Sequence, residues 1–125
     1  MEPLEELMRR IEKICTEELG IPTSLSELPK TGGLYAEMGM VTTKRYVRST
    51  SVKTVQILFM YKDAVEPVCI RNLSKVSWHL QKNKRKLEGE EYRVRSVKEA
   101  SGPHKTGRTE SKETVYSCIL YVEIY

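Results

Sequence analysis

The chain has 125 residues, 39% hydrophobic and 30% charged, with 21 Lys and Arg against 17 Asp and Glu for a net charge of +4. That length fits one small globular domain over 1–125 and is too short for two ordinary cores. No run approaches the roughly 18 consecutive apolar residues of a membrane span, and Met1-Glu2-Pro3-Leu4-Glu5-Glu6 carries acid where a secretory signal carries base. Neither membrane insertion nor export is therefore expected.

Leu4, Leu7, Met8, Ile11, Ile14, Cys15 and Leu19 recur at three- and four-residue steps, which predicts a helix from about Pro3 to Leu19 with one apolar face. Pro3 suits its first turn, Glu5 and Glu6 oppose the positive end of its dipole, and Gly20 suits its stop. Pro22 then disfavours helix at Ile21, so Ile21–Leu25 reads as extended chain.

After a turn at Lys30-Thr31-Gly32-Gly33, Leu34, Ala36, Met38 and Met40 alternate with Tyr35, Glu37 and Gly39 as a half-buried strand. The basic, hydroxyl-rich stretch Thr42–Ser51 is expected as a hairpin arm or loop, inside a span from Met38 to Lys62 that contains no acid. From Val52 to Lys62 both alternating sets are apolar enough for an interior strand.

Asp63 followed by Glu66 reads as a capping box, with Pro67 tolerated in the first turn. Val65, Cys69, Leu73, Val76 and Leu80, widened by Ile70, continue as a helical stripe to about Lys82. The run Lys82–Lys86 places positive charge at the helix end, where the dipole favours it, before Leu87-Glu88-Gly89 turns the chain. Tyr92, Val94 and Ser96 alternate with Arg93, Arg95 and Val97 as a third strand. A loop over Ser101–Lys112 follows, and Val115–Tyr125 supplies the last strand. The expected class is α+β: a mainly antiparallel sheet of about four strands, in the order α-β-β-α-β-β, packed against two helices.

The charge is unevenly spread. Residues 1–37 hold eight acids and four bases, a net −4, so the remainder carries +8. Such polarity suits head-to-tail contact between copies, contact with another protein, or phosphate. Cys15, Cys69 and Cys118 are odd in number, widely spaced and placed where an apolar residue would serve. They read as buried free thiols of a reducing compartment, with neither a zinc site nor a redox motif.

Parts for catalysis are missing from the sequence pattern. Only His79 and His104 could act as imidazole bases, one near the end of the second helix and one in the Gly102–Gly107 loop. The carboxylate pairs Glu5/Glu6, Glu17/Glu18 and Glu90/Glu91 are adjacent in sequence and diverge in direction. Gly32-Gly33 precedes a strand instead of following one, and Gly102–Gly107 lacks Walker spacing. No catalytic residue, metal or cofactor is expected. A small basic nucleic-acid-binding module is one alternative. It would use Lys44, Arg45, Arg48, Lys53, Lys82, Lys84, Arg85, Lys86, Arg93 and Arg95, with Tyr46 and Tyr92 for stacking. An assembly protein using its basic loops and opposed charge in repeated contacts is the other.

The opening helix leads into Leu19-Gly20-Ile21-Pro22 and Glu27-Leu28-Pro29, and Val55-Gln56-Ile57-Leu58 runs toward Asp63. A Ser101-Gly102-Pro103 loop with Gly107-Arg108 precedes Val115-Tyr116-Ser117. In these elements the chain resembles the minor capsid proteins of phages and prophages of Gram-positive bacteria, and the wider tail-terminator group of long-tailed phages. The resemblance implies a hexameric ring at the head-proximal end of the virion tail. Such a ring caps the tail tube, meets the head connector, lets DNA pass through its lumen, and assembles in the bacterial cytoplasm. Carried over residue by residue, it points to Arg45 and Arg48 in one loop and Lys105 and Arg108 in the other as assembly contacts. Lys84, Arg85 and Lys86 either face DNA or a partner, or simply finish the helix. Pro67 departs from the uninterrupted, acidic and alanine-rich first turn that the resemblance implies for the second helix.

Overall fold

Pro3–Lys13 forms helix α1 in a computed structural model that describes residues 2–29, 32–46 and 51–125. The Glu2 carboxylate caps it by accepting the Glu5 backbone N–H at 2.9 Å, which holds the Glu2 carboxyl below its ordinary pKa. A π-helical turn, Ile14–Glu18, extends the helix. It closes where Gly20, at φ +68°, lets the Ile21 N–H reach back to the Cys15 carbonyl at 3.0 Å. Leu7, Met8, Ile11, Ile14 and Cys15 are buried, as the periodicity predicts.

Among the described residues the sheet has five strands and is mixed, in the spatial order β1-β2-β3-β5-β4. The extended segment after Pro22 supplies the fifth, a two-residue β1, Thr23–Ser24, paired parallel to Leu34 and Tyr35 of β2, Gly33–Arg45. An expectation of about four antiparallel strands missed it because two residues carry no period. β2 pairs antiparallel with β3, Ser51–Asp63, from Gly33↔Lys62 out to Arg45↔Ser51. Thr42–Arg45 and Ser51 are thus strand and not loop. This arm is solvated on both faces along β2, so it has no apolar alternation to read.

A bulge interrupts β2 between Met38↔Ile57 and Val41↔Val55, setting Gly39 and Met40 against the single residue Gln56. The Gln56 Oε1 accepts the Met40 N–H at 3.0 Å, and a side chain on Gly39 would collide with that amide. The bulge shifts the phase of the strand, so Met40 is 70% exposed and leaves the face that Leu34 and Ala36 share.

Helix α2, Glu66–Lys82, starts later than the capping box predicts. The Asp63 carboxylate accepts the Val65 N–H at 2.9 Å, a turn within the approach to the helix, and Val65 occupies the cap position without a side-chain bond. Pro67 lies in the first turn as expected. Cys69, Leu73, Val76 and Leu80 are buried, but Val65 and Ile70 are exposed and fall outside the stripe. A 3₁₀ turn, Lys84–Leu87, follows and buries Leu87.

β4 runs from Val94 to Arg108 and pairs antiparallel with β5, Thr114–Ile124. The predicted loop over Ser101–Lys112 is therefore mostly strand, with a turn left only between Arg108 and Thr114. Gly102, Pro103 and Gly107 read as loop residues, but β4 is an edge strand. Its register shifts around Ser101–His104 and Lys105–Gly107 absorb them. Tyr92, expected in this strand and available for stacking, precedes it and is buried, with its hydroxyl donating to the Leu87 carbonyl.

Both helices lie on one face of the sheet. Ile57↔Leu120 and Phe59↔Cys118 are cross-strand pairs on that face, fully buried beneath Leu7, Ile11, Leu73 and Leu80. Burial pushes the Cys15 and Cys118 thiols up to about 12. The opposite face carries Leu58↔Ile119, Met60↔Ser117 and Gln56↔Tyr121, and among the described residues no helix lies over it.

Candidate functional site

Two grooves of opposite charge flank the helix layer. One, about 750 Å³, lies between α1 and the Thr23–Ser26 segment. Leu4, Met8, Leu25 and Met38 supply its apolar lining. Glu2, Glu5 and Glu12 bring three carboxylates to it against the single guanidinium of Arg9, which sits 3.7 Å from Glu5. Three of the eight acids of residues 1–37 are thereby gathered on one helix flank.

The second groove, about 670 Å³, lies where the β2–β3 arm, the start of β4 and the 3₁₀ turn meet. Lys84, Arg85 and Arg95 line it with Tyr46 and Tyr125. Arg95 donates to the Tyr46 hydroxyl at 3.3 Å, and its guanidinium carbon stands 6.0 Å from the centre of the Tyr46 ring. Lys44 is 5.6 Å from that ring. Lys84 Nζ donates to the Arg95 carbonyl at 3.0 Å, while Glu88 turns its carboxylate to the Val94 N–H at 2.9 Å. The groove can hold an anion through charge-assisted hydrogen bonds and offers aromatic faces beside it.

The run Lys84–Lys86 is divided by this geometry. Lys84 and Arg85 reach the basic groove, whereas Lys86 pairs with Glu18 at 2.8 Å. His79 also meets Glu18, at 3.0 Å, and together these partners hold the Glu18 carboxyl below its ordinary pKa, Lys86 contributing most. Lys86 thus ties the 3₁₀ turn to the end of the first helix. Of the loop residues singled out in the sequence, Arg45 ends β2 beside the basic groove's Tyr46, and Arg48 lies outside the described residues. Lys105 pairs with Glu66 at 2.9 Å and lowers that carboxyl's pKa. Arg108 ends β4 and acts on the same carboxylate more weakly.

The carboxylate pairs separate as expected from their adjacency. Glu5 faces Arg9, while Glu6 bonds Arg10 at 2.9 Å and approaches the Glu90 N–H at 3.4 Å. His104 Nδ1 lies 3.2 Å from the Ser101 hydroxyl and 2.9 Å from the Gly102 carbonyl. It bonds locally at the register shift between Ser101 and His104 of β4 and, among the described residues, meets no carboxylate.

One prominent residue went unassigned in the sequence. Trp78, the sole Trp, is 62% exposed on the outer side of α2, with Lys82 Nζ 4.1 Å above its ring. It lies nine residues beyond buried Cys69, two and a half helical turns, which puts it opposite the core stripe. A helical-wheel reading of Cys69, Leu73, Val76 and Leu80 contains that signal. Compared with known proteins, the chain matches no family model and no curated protein.

Proposed function

We propose that the protein is a structural subunit of phage assembly, a tail terminator or head–tail joining protein. In this reading it forms a hexameric ring, caps the tail tube, connects it to the head, and functions without an active site in the virion. The separation of an acidic groove on α1 from cationic surfaces on α2 and the 3₁₀ turn carries the reading. A chain with two unlike, complementary surfaces is suited to heterologous contact, which closes into a ring when the rotation per subunit permits. The α+β architecture, with helices on one sheet face, agrees with what the phage resemblance implies. The long β2–β3 arm, with Arg45 at its described end and Arg48 beyond, reaches toward the tube or a neighbour. Arg108 serves the second hairpin in the same way, and Lys105 contributes only by exchanging its bond to Glu66. Light scattering of the purified protein, alone and with tail-tube protein, tests the reading. Ring-sized particles are expected, and a monomer that ignores the tube protein would overturn it.

A nucleic-acid-binding module is the second reading. It is favoured by the joining of Lys84, Arg85 and Arg95 with Tyr46 in one groove. In the ring these cations bear on DNA passing through the lumen; in a free module they are the whole function. Retardation of DNA that falls steeply with salt, and is lost in a Lys84→Glu/Arg85→Glu variant, supports this role. No retardation at low salt removes it.

A further inference from the structure

The outer side of α2 is a cationic ridge whose Arg71, Lys75 and Lys82 form no ion pair among the described residues. Trp78 stands at its crest, Arg71, Lys75 and Lys82 surround it, and all four are exposed. The only acid within α2 is Glu66, at the far end and paired with Lys105. An indole this exposed forfeits a large apolar burial, and Trp is the residue most often found at the energetic centre of protein interfaces. The groove beside α1 has the converse character: concave, apolar at Leu4, Met8, Leu25 and Met38, and net acidic through Glu2, Glu5 and Glu12. Ridge and groove cannot meet within one chain, because Trp78 points away from the sheet while the groove opens beside α1 and β1.

We infer that Trp78 of one subunit seats in the α1 groove of the next, with Lys75 and Lys82 facing Glu5 and Glu12. The occupant is a second copy because one chain carries both halves, an exposed ridge and a concave groove of opposite charge. The indole enters an apolar floor, the lysine stems cover its edges, and their ammonium groups meet Glu5 and Glu12 in a groove where the three carboxylates outnumber the lining guanidinium of Arg9, with Lys53 acting on Glu2 from outside the lining. The contact rests on the ring reading and names the surfaces that would build it.

Trp78 reports on its own burial, since the chain has no other Trp. On concentrating the wild-type protein, or adding tail-tube protein, emission is expected to shift to the blue and acrylamide quenching to fall in step with light scattering. Trp78→Ala is expected to raise the concentration of half-assembly at least about thirty-fold, the scale of an interface hot spot. Glu5→Lys/Glu12→Lys and Lys75→Glu/Lys82→Glu each abolish self-assembly, and mixing the two restores it as alternating copies, because both junctions are then complementary. Recovery in the mixture also demonstrates that both variants fold. Assembly with unchanged Trp78 emission, or folded variants that do not rescue one another, overturns this contact and leaves the ring reading standing. Absence of assembly even with tail-tube protein removes the ring reading, and the contact with it.

Discussion

The two faces of the sheet are made from the same strands, yet they solve different problems. On β3, Phe59 points into the helix-covered side and is fully buried, whereas its neighbour Leu58 points to the open side and stays partly exposed. The covered face joins Phe59, Ile57, Leu120 and Val122 to both helices in one cluster. On the open face Leu58, Met60, Ile119 and Tyr121 sit at paired positions of β3 and β5 and stay outside that cluster. Stability is therefore concentrated on one side, and the other is free to vary without unfolding the chain.

The sharpest way to break this contrast is to truncate the two neighbours. Phe59→Ala should cost about 3–5 kcal/mol, from lost burial and an unfilled cavity, read as a lowered denaturant midpoint with an unchanged slope. Gly89→Ala should come next, at about 1–3 kcal/mol, because a methyl there strikes the Tyr92 ring and the Glu6 carboxylate where the β4 approach crosses α1. Leu58→Ala should cost only about 1 kcal/mol in the isolated subunit. A Leu58 effect matching that of Phe59 would mean that the open face is also covered in solution.

The smallest effect concerns pH. Glu18 and Glu66 have carboxyl pKa values lowered chiefly by Lys86 and Lys105, so the folded state favours their charged forms. Their contribution is present above the unfolded Glu value of about 4.3 and is lost as pH falls through the lowered folded values. Lys86→Met and Lys105→Met should flatten the acid limb of a thermal-stability profile and leave neutral stability nearly unchanged, both pairs being solvent-exposed. A steep loss at neutral pH would assign these pairs to the covered side of the comparison.

Legibility in the sequence followed the same division. Where one face is dry, the alternation of Val55, Ile57, Phe59 and Tyr61 and the spacing of Leu7, Ile11, Cys69 and Leu73 give the element and its buried side together. Where both faces are wet, as in Thr42–Arg45, or an edge strand carries Gly102 and Pro103, strand and loop have the same composition and only pairing distinguishes them. The single-residue insertion at Gly39 and Met40 has no compositional mark strong enough to reveal the change of phase. For the surfaces, charge asymmetry was visible as a sum over residues 1–37. Its focus at Glu2, Glu5 and Glu12 required the placement of Thr23–Ser26 beside α1. Lys84, Arg85 and Lys86 looked equivalent in the chain, yet a bond to Glu18 removes Lys86 from its neighbours' groove. Such a distinction depends on a partner more than sixty residues away, which local pattern does not encode.

The position of β5 gives the chain a timetable. It is the last strand in sequence but lies between β3 and β4, so Asp63 and Lys62 wait for Thr114 and Val115 before their second edge is filled. During translation, β3 emerges with that edge vacant, and α2 lacks two of the three strands it packs against. A fragment released by the ribosome before Thr114 would offer an open strand edge to chaperones or proteases and an undocked α2 to its siblings. Only after β5 inserts does Trp78 stand on a fixed helix, so the ridge that we propose as a contact between copies takes its final shape with completion of the sheet.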